Sequence, residues 1–349
     1  MSTAVVLMCD TNFLAPTIGT ALQARAHITD PRVDIRIVVT DSDALHLSAP
    51  AAKLEDSGIR LESFPISALT AIRSEDFNKT HVPVSTMARL WIDEVLPPVF
   101  DRFLYLDGDL EITGSLDPLL AEVVPHRGFL AAPDLPYLIA GDSGATARQT
   151  GQYLKGLGLT APEQYFNAGV LLADRRGWRE IAGVAWDYFK AHPQRCRYHD
   201  QSALNATAQA RRGTLSLRWN YQTDFLAAAD PRRWGYPPAI WHFTGFPKPW
   251  HAATFPWGPD HDQTYWLGSR LLDDCGFPPP PPADPEQIRA GVHGREKLRH
   301  RLTWVYPWRR IARARRIKEH LIETWGGIGA RPSPACSPYP PTAIEQAAS

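Results

Sequence analysis

Two aspartates separated by a single glycine, Asp107-Gly108-Asp109, follow directly on an apolar run, Phe103-Leu104-Tyr105-Leu106. The run reads as a buried strand, and the acidic pair marks where it stops. In an open α/β sheet, ligands bind just outside the carboxyl ends of the strands. Two carboxylates held there by a turn that glycine permits can face one point. Hard divalent cations take oxygen ligands of this kind and commonly bind together with a phosphate. A solvated turn that merely ends a strand is the plainer alternative.

The pair needs a scaffold, and the flanking sequence supplies one. Residues 4–8 are an apolar run followed by Cys9-Asp10-Thr11-Asn12, a strand feeding a polar turn. Residues 16–26 read as a helix, 34–40 as a strand, 51–57 as a helix ending at Gly58, and 59–64 as a third strand. This alternation predicts a parallel, doubly wound sheet. Residues 86–95 have helical spacing, with Ser85 or Thr86 as N-cap, and Pro97-Pro98 stops them before the Asp107 strand. A short helix over 115–120 and a strand over 128–132 ending at Asp134 come next. Residues 135–161, rich in Gly, Ser and Thr, read as a surface excursion over a site. A strand over 165–172, an amphipathic helix over 178–191, a helix over 202–209 opened by His199-Asp200-Gln201, and short strands at 215–217 and 240–243 complete the body.

The chain has 349 residues, enough for one large domain or two small ones, and its 44% hydrophobic content suits a globular core. Its zero net charge is a cancellation: residues 1–283 hold 25 Lys+Arg and 31 Asp+Glu, whereas 284–349 hold 12 and 6. Five prolines at 278–282 predict a stiff spacer. Residues 289–318 then carry 11 Lys+Arg and one acid, Glu296, interleaved with Leu298, Leu302, Trp304, Val305, Tyr306, Trp308 and Ile311. The expected division is a body over 1–277, a linker over 278–285, a basic amphipathic helical segment over 286–325 and a disordered tail over 326–349. Interleaved Trp and Leu favour an anionic membrane surface over nucleic acid as the partner of the basic segment. The cysteines Cys9, Cys196, Cys275 and Cys336 form no Cys-x-x-Cys pair, so a reducing compartment is the default. The N-terminus lacks the features of a signal peptide, and no run is long and apolar enough to span a bilayer. The expected location is cytoplasmic, peripheral on the inner face of the membrane.

Five segments occur in an order and spacing that resemble the family 8 glycosyltransferases, and most closely the bacterial lipooligosaccharide α-galactosyltransferases. They are Cys9-Asp10-Thr11-Asn12-Phe13, Met87-Ala88-Arg89-Leu90, Tyr105-Leu106-Asp107-Gly108-Asp109, residues 166–172 from Phe166, and residues 242–250 from His242 to Trp250. The resemblance covers about residues 5–250 and continues loosely into the basic tail. It implies a GT-A fold, a Rossmann-like doubly wound mixed sheet, and transfer of galactose or glucose from a UDP-sugar with retention of configuration. The acceptor would be a glycan or a lipid-linked sugar.

The resemblance also assigns residues. Asp107, Asp109 and His242 would ligate the metal that neutralises the leaving diphosphate as a Lewis acid. Mn²⁺ tolerates such mixed oxygen and nitrogen ligation better than Mg²⁺, the other ion considered. Lys248 and Gly245 would clamp the diphosphate, Arg89 and Gly108 would belong to the donor site, and Asp10 and Asn12 would hold base and ribose. Asp134, Asn167, Asp200 and Gln201 match positions that hold the transferred hexose. Gln201 lies on the face where a nucleophile would be needed, but an amide is a poor one. The resemblance therefore implies a short-lived oxocarbenium pair, with the acceptor entering on the leaving-group side. Gly108 departs from the family pattern, where Ala or Thr is commoner, and residues 135–161 have no match in it. A haloacid-dehalogenase-type phosphatase also places Asp-x-Asp after an apolar strand, but it wants Thr or Val where Glu111 stands. A catalytically weak protein that only binds sugar nucleotide is the remaining alternative.

Overall fold

The computed structural model describes residues 2–66, 84–139, 142–254, 256–258, 261–304 and 307–325. Near-continuous apolar strands can be buried only in a sheet covered on both faces. β1 (Thr3–Cys9), β2 (Asp34–Val39) and β4 (Arg102–Leu106) meet that requirement and, with the edge strand β3 (Ile59–Ser63), where Arg60 is exposed, lie parallel in the order β3-β2-β1-β4. β5 (Leu110–Ile112) leaves this sheet. β6 (Phe129–Pro133), β7 (Phe166–Asp174) and β8 (Arg212–Thr214) extend the large sheet to seven strands, with β7 antiparallel to both β4 and β6. The sheet is therefore mixed, as the family resemblance implies, rather than wholly parallel. β9 (Tyr221–Gln222) and β10 (Ile240–His242) join β5 in a second, three-stranded sheet ordered β5-β10-β9.

Alternation along β1 divides the core in two. Val5 and Leu7 join the cluster under helix Leu14–Ala26, with Ile35, Ile37 and Leu104. Val6 and Met8 face the other way, onto Phe103, Tyr105, Trp178, Ile181 and Phe189. Helix Gln263–Asp274 crosses helix Leu14–Ala26 so closely that a Cβ on Gly19 would lie 1.7 Å from the Thr264 carbonyl oxygen.

Three local expectations are revised. Residues 84–91 form a 3₁₀ coil (Val84–Trp91) that becomes α-helical only at Ile92–Val95. Ser85 does not cap it, because its hydroxyl donates to Asp10 Oδ2 at 2.7 Å. Within 135–161, the expected surface excursion carries two helices that the sequence did not announce, Leu135–Leu138 and Ala145–Gly156. Leu154, Leu157 and Leu159 pack there against Tyr165, a small core that the polar composition concealed. The strand expected at 215–217 lies earlier, at Arg212–Thr214, and Leu217–Trp219 is a 3₁₀ turn.

The C-terminal segment forms two helices, Pro285–Thr303 and Pro307–Thr324, and the core does not stop at the proline run. Leu302, Ile317 and Leu321 are buried in a third cluster with Tyr221, Phe225, Trp241, Phe243 and Trp257. Arg295 and Arg313 turn inward, onto Asp224 and Asp142, and so are not part of an outward basic face. Val305, Tyr306 and the tail expected to be disordered, 326–349, lie outside the described residues. Among those described, no helix is long and apolar enough to cross a membrane. Because Leu321 is fully buried, Leu321→Ala should destabilise the protein by about 2–4 kcal/mol. Calorimetry should record a melting temperature several degrees lower; an unchanged value would mean that this helix adds nothing to the body.

Candidate active site

The Asp107-Gly108-Asp109 segment is where the chain crosses from the large sheet to the small one. On one side Asp107 N donates to Gly169 O at 2.8 Å, continuing the β4–β7 ladder. On the other, Phe243 N donates to Asp109 O at 3.0 Å, continuing the β5–β10 pairing of Leu110 with His242. The crossing thus sets two carboxylates beside an imidazole. One ligand atom each from Asp107, Asp109 and His242 lies within 4.8 Å of the others. His242 Nε2 is 3.4 Å from Asp109 Oδ1 and 3.8 Å from Asp107 Oδ2.

The imidazole's orientation follows from a chain of amides. Gly169 N–H can only donate, and it donates to Asn167 Oδ1 at 2.9 Å. Asn220 Nδ2 donates to the same oxygen at 2.9 Å. Asn220 Oδ1 therefore faces His242 Nδ1 at 2.8 Å and accepts its proton, leaving the Nε2 lone pair toward the carboxylates. Asn220, fully buried, was not legible as a site residue in the sequence, where it ends a 3₁₀ turn beside Trp219.

Glycine is demanded here by space. A Cβ on Gly169 would lie 2.3 Å from His242 Cε1 and 2.7 Å from Asp107 Oδ2. Gly108 does not adopt a left-handed conformation, so its turn needs no backbone freedom. A Cβ there would lie 2.2 Å from Thr17 Oγ1 and 3.1 Å from Thr17 Cα, so the threonine of the first helix occupies the room that a larger residue would need.

Cations and hydroxyls hold the carboxylates in place. Arg89, 5% exposed, pairs with Asp107 Oδ1 at 3.1 Å and Asp200 Oδ2 at 2.9 Å, and it stacks over Tyr105. Burial opposes its charge, but Asp107 and Asp200 more than compensate and keep it ionised. Tyr105 OH donates to Asp107 Oδ1 at 2.7 Å. Burial pushes Asp200 up to about 6 against the pull of Arg89, with Asp107 adding to the rise. Lys248 Nζ contacts Asp109 and donates to Phe243 O at 2.7 Å. Burial opposes ionisation of Asp109, yet the Lys248 ammonium holds its carboxyl well below the usual range.

The remaining candidate residues divide into two groups. Asp134, Asn167 and Gln201 form one hydrogen-bonded cluster next to Asp200. Gln201 Nε2 donates to Asp134 Oδ2 at 2.6 Å, Asn167 Nδ2 donates to the same oxygen at 3.4 Å, and Gln201 Oε1 accepts from Ala168 N at 3.0 Å. Burial raises Asp134 despite these donors. Tyr165, also not foreseen, accepts from Gln201 Nε2 at 3.2 Å and bonds Tyr153 OH at 3.1 Å. Asp10 and Asn12 lie apart, at the end of β1. Asp10 accepts from Phe13 N and Ser85 Oγ, so it caps the turn, and burial raises its carboxyl. Asn12 is exposed. Gly245 does take the left-handed backbone, φ 73°, in the loop after His242.

Two acidic oxygens and one imidazole nitrogen within 4.8 Å of one another can share one divalent cation, for ligands about 2.0–2.6 Å from such an ion lie no more than about 5.2 Å apart. The chain is similar to several known proteins. General stress protein A of Bacillus subtilis is 32% identical over 221 residues, 58% of this chain and 72% of that protein. The lipopolysaccharide 1,2-glucosyltransferase of Escherichia coli K12 is 27% identical over 180 residues, 48% of this chain and 50% of that one. The solved galactosyltransferase LgtC, in complex with donor and acceptor sugar analogues, superposes with a TM-score of 0.57 and 25% identity, covering 83% of this chain and all of that one. The mixed sheet and its acidic crossing are those of a GT-A glycosyltransferase. With the profile described as "Glycosyl transferase family 8" matching residues 4–254, the chain belongs to that family, and the phosphatase alternative falls away.

Gly169→Ala should keep the fold and weaken divalent-cation binding at least tenfold, because His242 and Asp107 must both give way. Calorimetric titration with Mn²⁺ reads this directly; an unchanged Kd would show that neither side chain serves as a ligand.

Proposed function

We propose that this enzyme transfers a hexose, galactose or glucose, from a UDP-sugar to a glycan or lipid-linked sugar acceptor, retaining the donor's configuration and using Mn²⁺. The observation that carries the reading is the triad Asp107, Asp109 and His242 at the crossing between the sheets. The ion they would hold supplies Lewis-acid neutralisation of a leaving diphosphate. Lys248, a flexible point charge beside Asp109, and the Gly245 loop serve the same diphosphate. Asp10 and Asn12, at the end of β1, serve the nucleoside. The polar cluster of Asp134, Asn167, Asp200 and Gln201 offers acceptors and donors to sugar hydroxyls. Gln201 is tied at both ends of its amide, which suits orientation of the sugar rather than attack on it. Because an amide is a poor nucleophile, the reading has the acceptor enter on the leaving-group face, with the departing phosphate oxygen taking its proton. A lipopolysaccharide glucosyltransferase and a galactosyltransferase among the relatives support a hexose and a glycolipid-like acceptor.

Asp109→Asn should cost on the order of 10²-fold or more in transfer rate, since the lost charge acts mainly in the transition state. Excess chelator should stop the wild-type enzyme, and near-normal turnover in either case would sink the reading. Gln201→Ala should leave measurable activity and an α-configured product; a β-linked product by NMR would contradict retention.

The C-terminal helices are also proposed to rest on an anionic, cytoplasm-facing membrane surface. Trp304, Trp308 and Ile311 are 62%, 63% and 72% exposed, near the outward cations Arg310 and Arg315. Replacing both tryptophans with alanine should reduce sedimentation with anionic vesicles without changing donor hydrolysis in solution. Full vesicle binding by that variant would remove the membrane role.

A further inference from the structure

We propose that helix Pro285–Thr303, beyond the family-matched residues, is part of the donor site: Gly291 and Arg295 hold the Thr244–Lys248 loop in the shape that takes the diphosphate. The inference rests on the reading of that loop as the diphosphate clamp. Gly291 and Arg295 stand four apart, one above the other on a helix face, and Leu298 and Leu302 continue the same face into the third hydrophobic cluster.

Contact at both positions is tight. A Cβ on Gly291 would lie 2.8 Å from Pro247 Cδ, 2.9 Å from Phe246 Cδ1 and 3.2 Å from Phe246 O, so only glycine lets the helix come this close to the loop. One turn on, Arg295 is 6% exposed. Its Nη2 donates to Thr244 O, its Nη1 lies 3.1 Å from Asp224 Oδ1, and its guanidinium stacks 4.2 Å over Trp257. Asp224 follows β9, which is parallel to β10 with Gln222 beside His242. The guanidinium thus spans from the neighbour of the His242 strand to the carbonyl two residues after His242. At the loop's other end, Lys248 Nζ donates to Phe243 O at 2.7 Å. The loop between is held at both ends, and Gly245, whose left-handed backbone turns it, faces the Arg295 Nη2 at 3.3 Å from an ideal Cβ.

A guanidinium in such a place does more than balance Asp224. Its planar fork fixes two acceptors at once, one of them a backbone carbonyl whose position sets where the Gly245 amide points. Arg295 is a positioning residue, not a catalytic one, since it acts through Thr244 and Gly245. Loss of it should be felt at the diphosphate more than at the nucleoside, which the reading assigns to Asp10 and Asn12 at the end of β1, neither of them a partner of Arg295.

The test compares UDP with uridine, each titrated calorimetrically into the full chain with Mn²⁺ present, for Arg295→Ala, Arg295→Lys, Gly291→Ala and Lys248→Ala. Partners that orient a site's contacts typically cost 10–100-fold when removed. Arg295→Ala and Gly291→Ala should weaken UDP about tenfold or more, leave uridine within twofold, and raise the donor KM more than they lower kcat. Arg295→Lys, which keeps the charge but not the fork, should fall between. If Arg295→Ala fails to fold, Gly291→Ala, which removes no charge, gives the answer alone. Equal weakening of UDP and uridine would show a general structural role and overturn the proposal. If Lys248→Ala weakens UDP while the helix variants do not, this inference is wrong and the clamp stands; if Lys248→Ala also leaves UDP unchanged, both fall.

Discussion

Two backbone hydrogen bonds, Asp107 N to Gly169 O and Asp109 O to Phe243 N, fix the short crossing between the sheets, and the remainder of the site is arranged around it. Neither aspartate can move without breaking a hydrogen bond that continues a strand ladder. The partner strands bring what the crossing needs: β7 delivers Gly169, whose missing side chain leaves room for the triad, and β10 delivers His242. Thr17 closes over Gly108 from the first helix, with Thr20 Oγ1 donating to the Gly108 carbonyl. A single local geometry therefore depends on three distant segments of chain.

Electrostatics explains why such an arrangement calls for a cation. Asp107, Asp109, Asp134 and Asp200 are gathered against two nearby cations, Arg89 and Lys248. Burying charge costs several kcal/mol per ion unless it is paired, and Arg89 alone serves two carboxylates. Among the described residues, Asp134 takes hydrogen bonds from the neutral donors Leu135 N, Asn167 and Gln201, and burial raises its carboxyl despite them. The site is thus short of positive charge at the triad, which a divalent ion would supply. Lys248 contacts a carboxylate of that triad while standing on the loop proposed to meet the diphosphate, so one side chain links the two.

Much of this was legible in the sequence because it lies in contiguous, patterned stretches. The apolar runs before Asp10, Asp107 and His242 announced strands with polar ends, and the order of the five segments announced the family. What was not legible depends on contacts between distant segments. Asn220 looked like a turn residue until the fold set it behind His242, and Tyr165 like the start of a strand until it met Gln201. Gly108 seemed to serve a turn, whereas its neighbour Thr17 is the reason for it. Composition did not separate the two faces of the basic C-terminal segment: Trp304 and Trp308 face outward, whereas Arg295 and Arg313 turn inside the molecule, the first beside the Thr244–Lys248 loop.

The central claim is that Asp107, Asp109 and His242 together hold one divalent ion that meets the donor's diphosphate. Pulsed electron paramagnetic resonance of bound Mn²⁺ tests it most directly. Mn²⁺ with the wild-type protein should show coupling to a directly coordinated imidazole nitrogen, absent in His242→Ala, and added UDP should introduce a phosphorus coupling at the same ion. Mn²⁺ bound without the nitrogen coupling, or UDP binding that leaves no phosphorus coupling at the ion, would contradict the account.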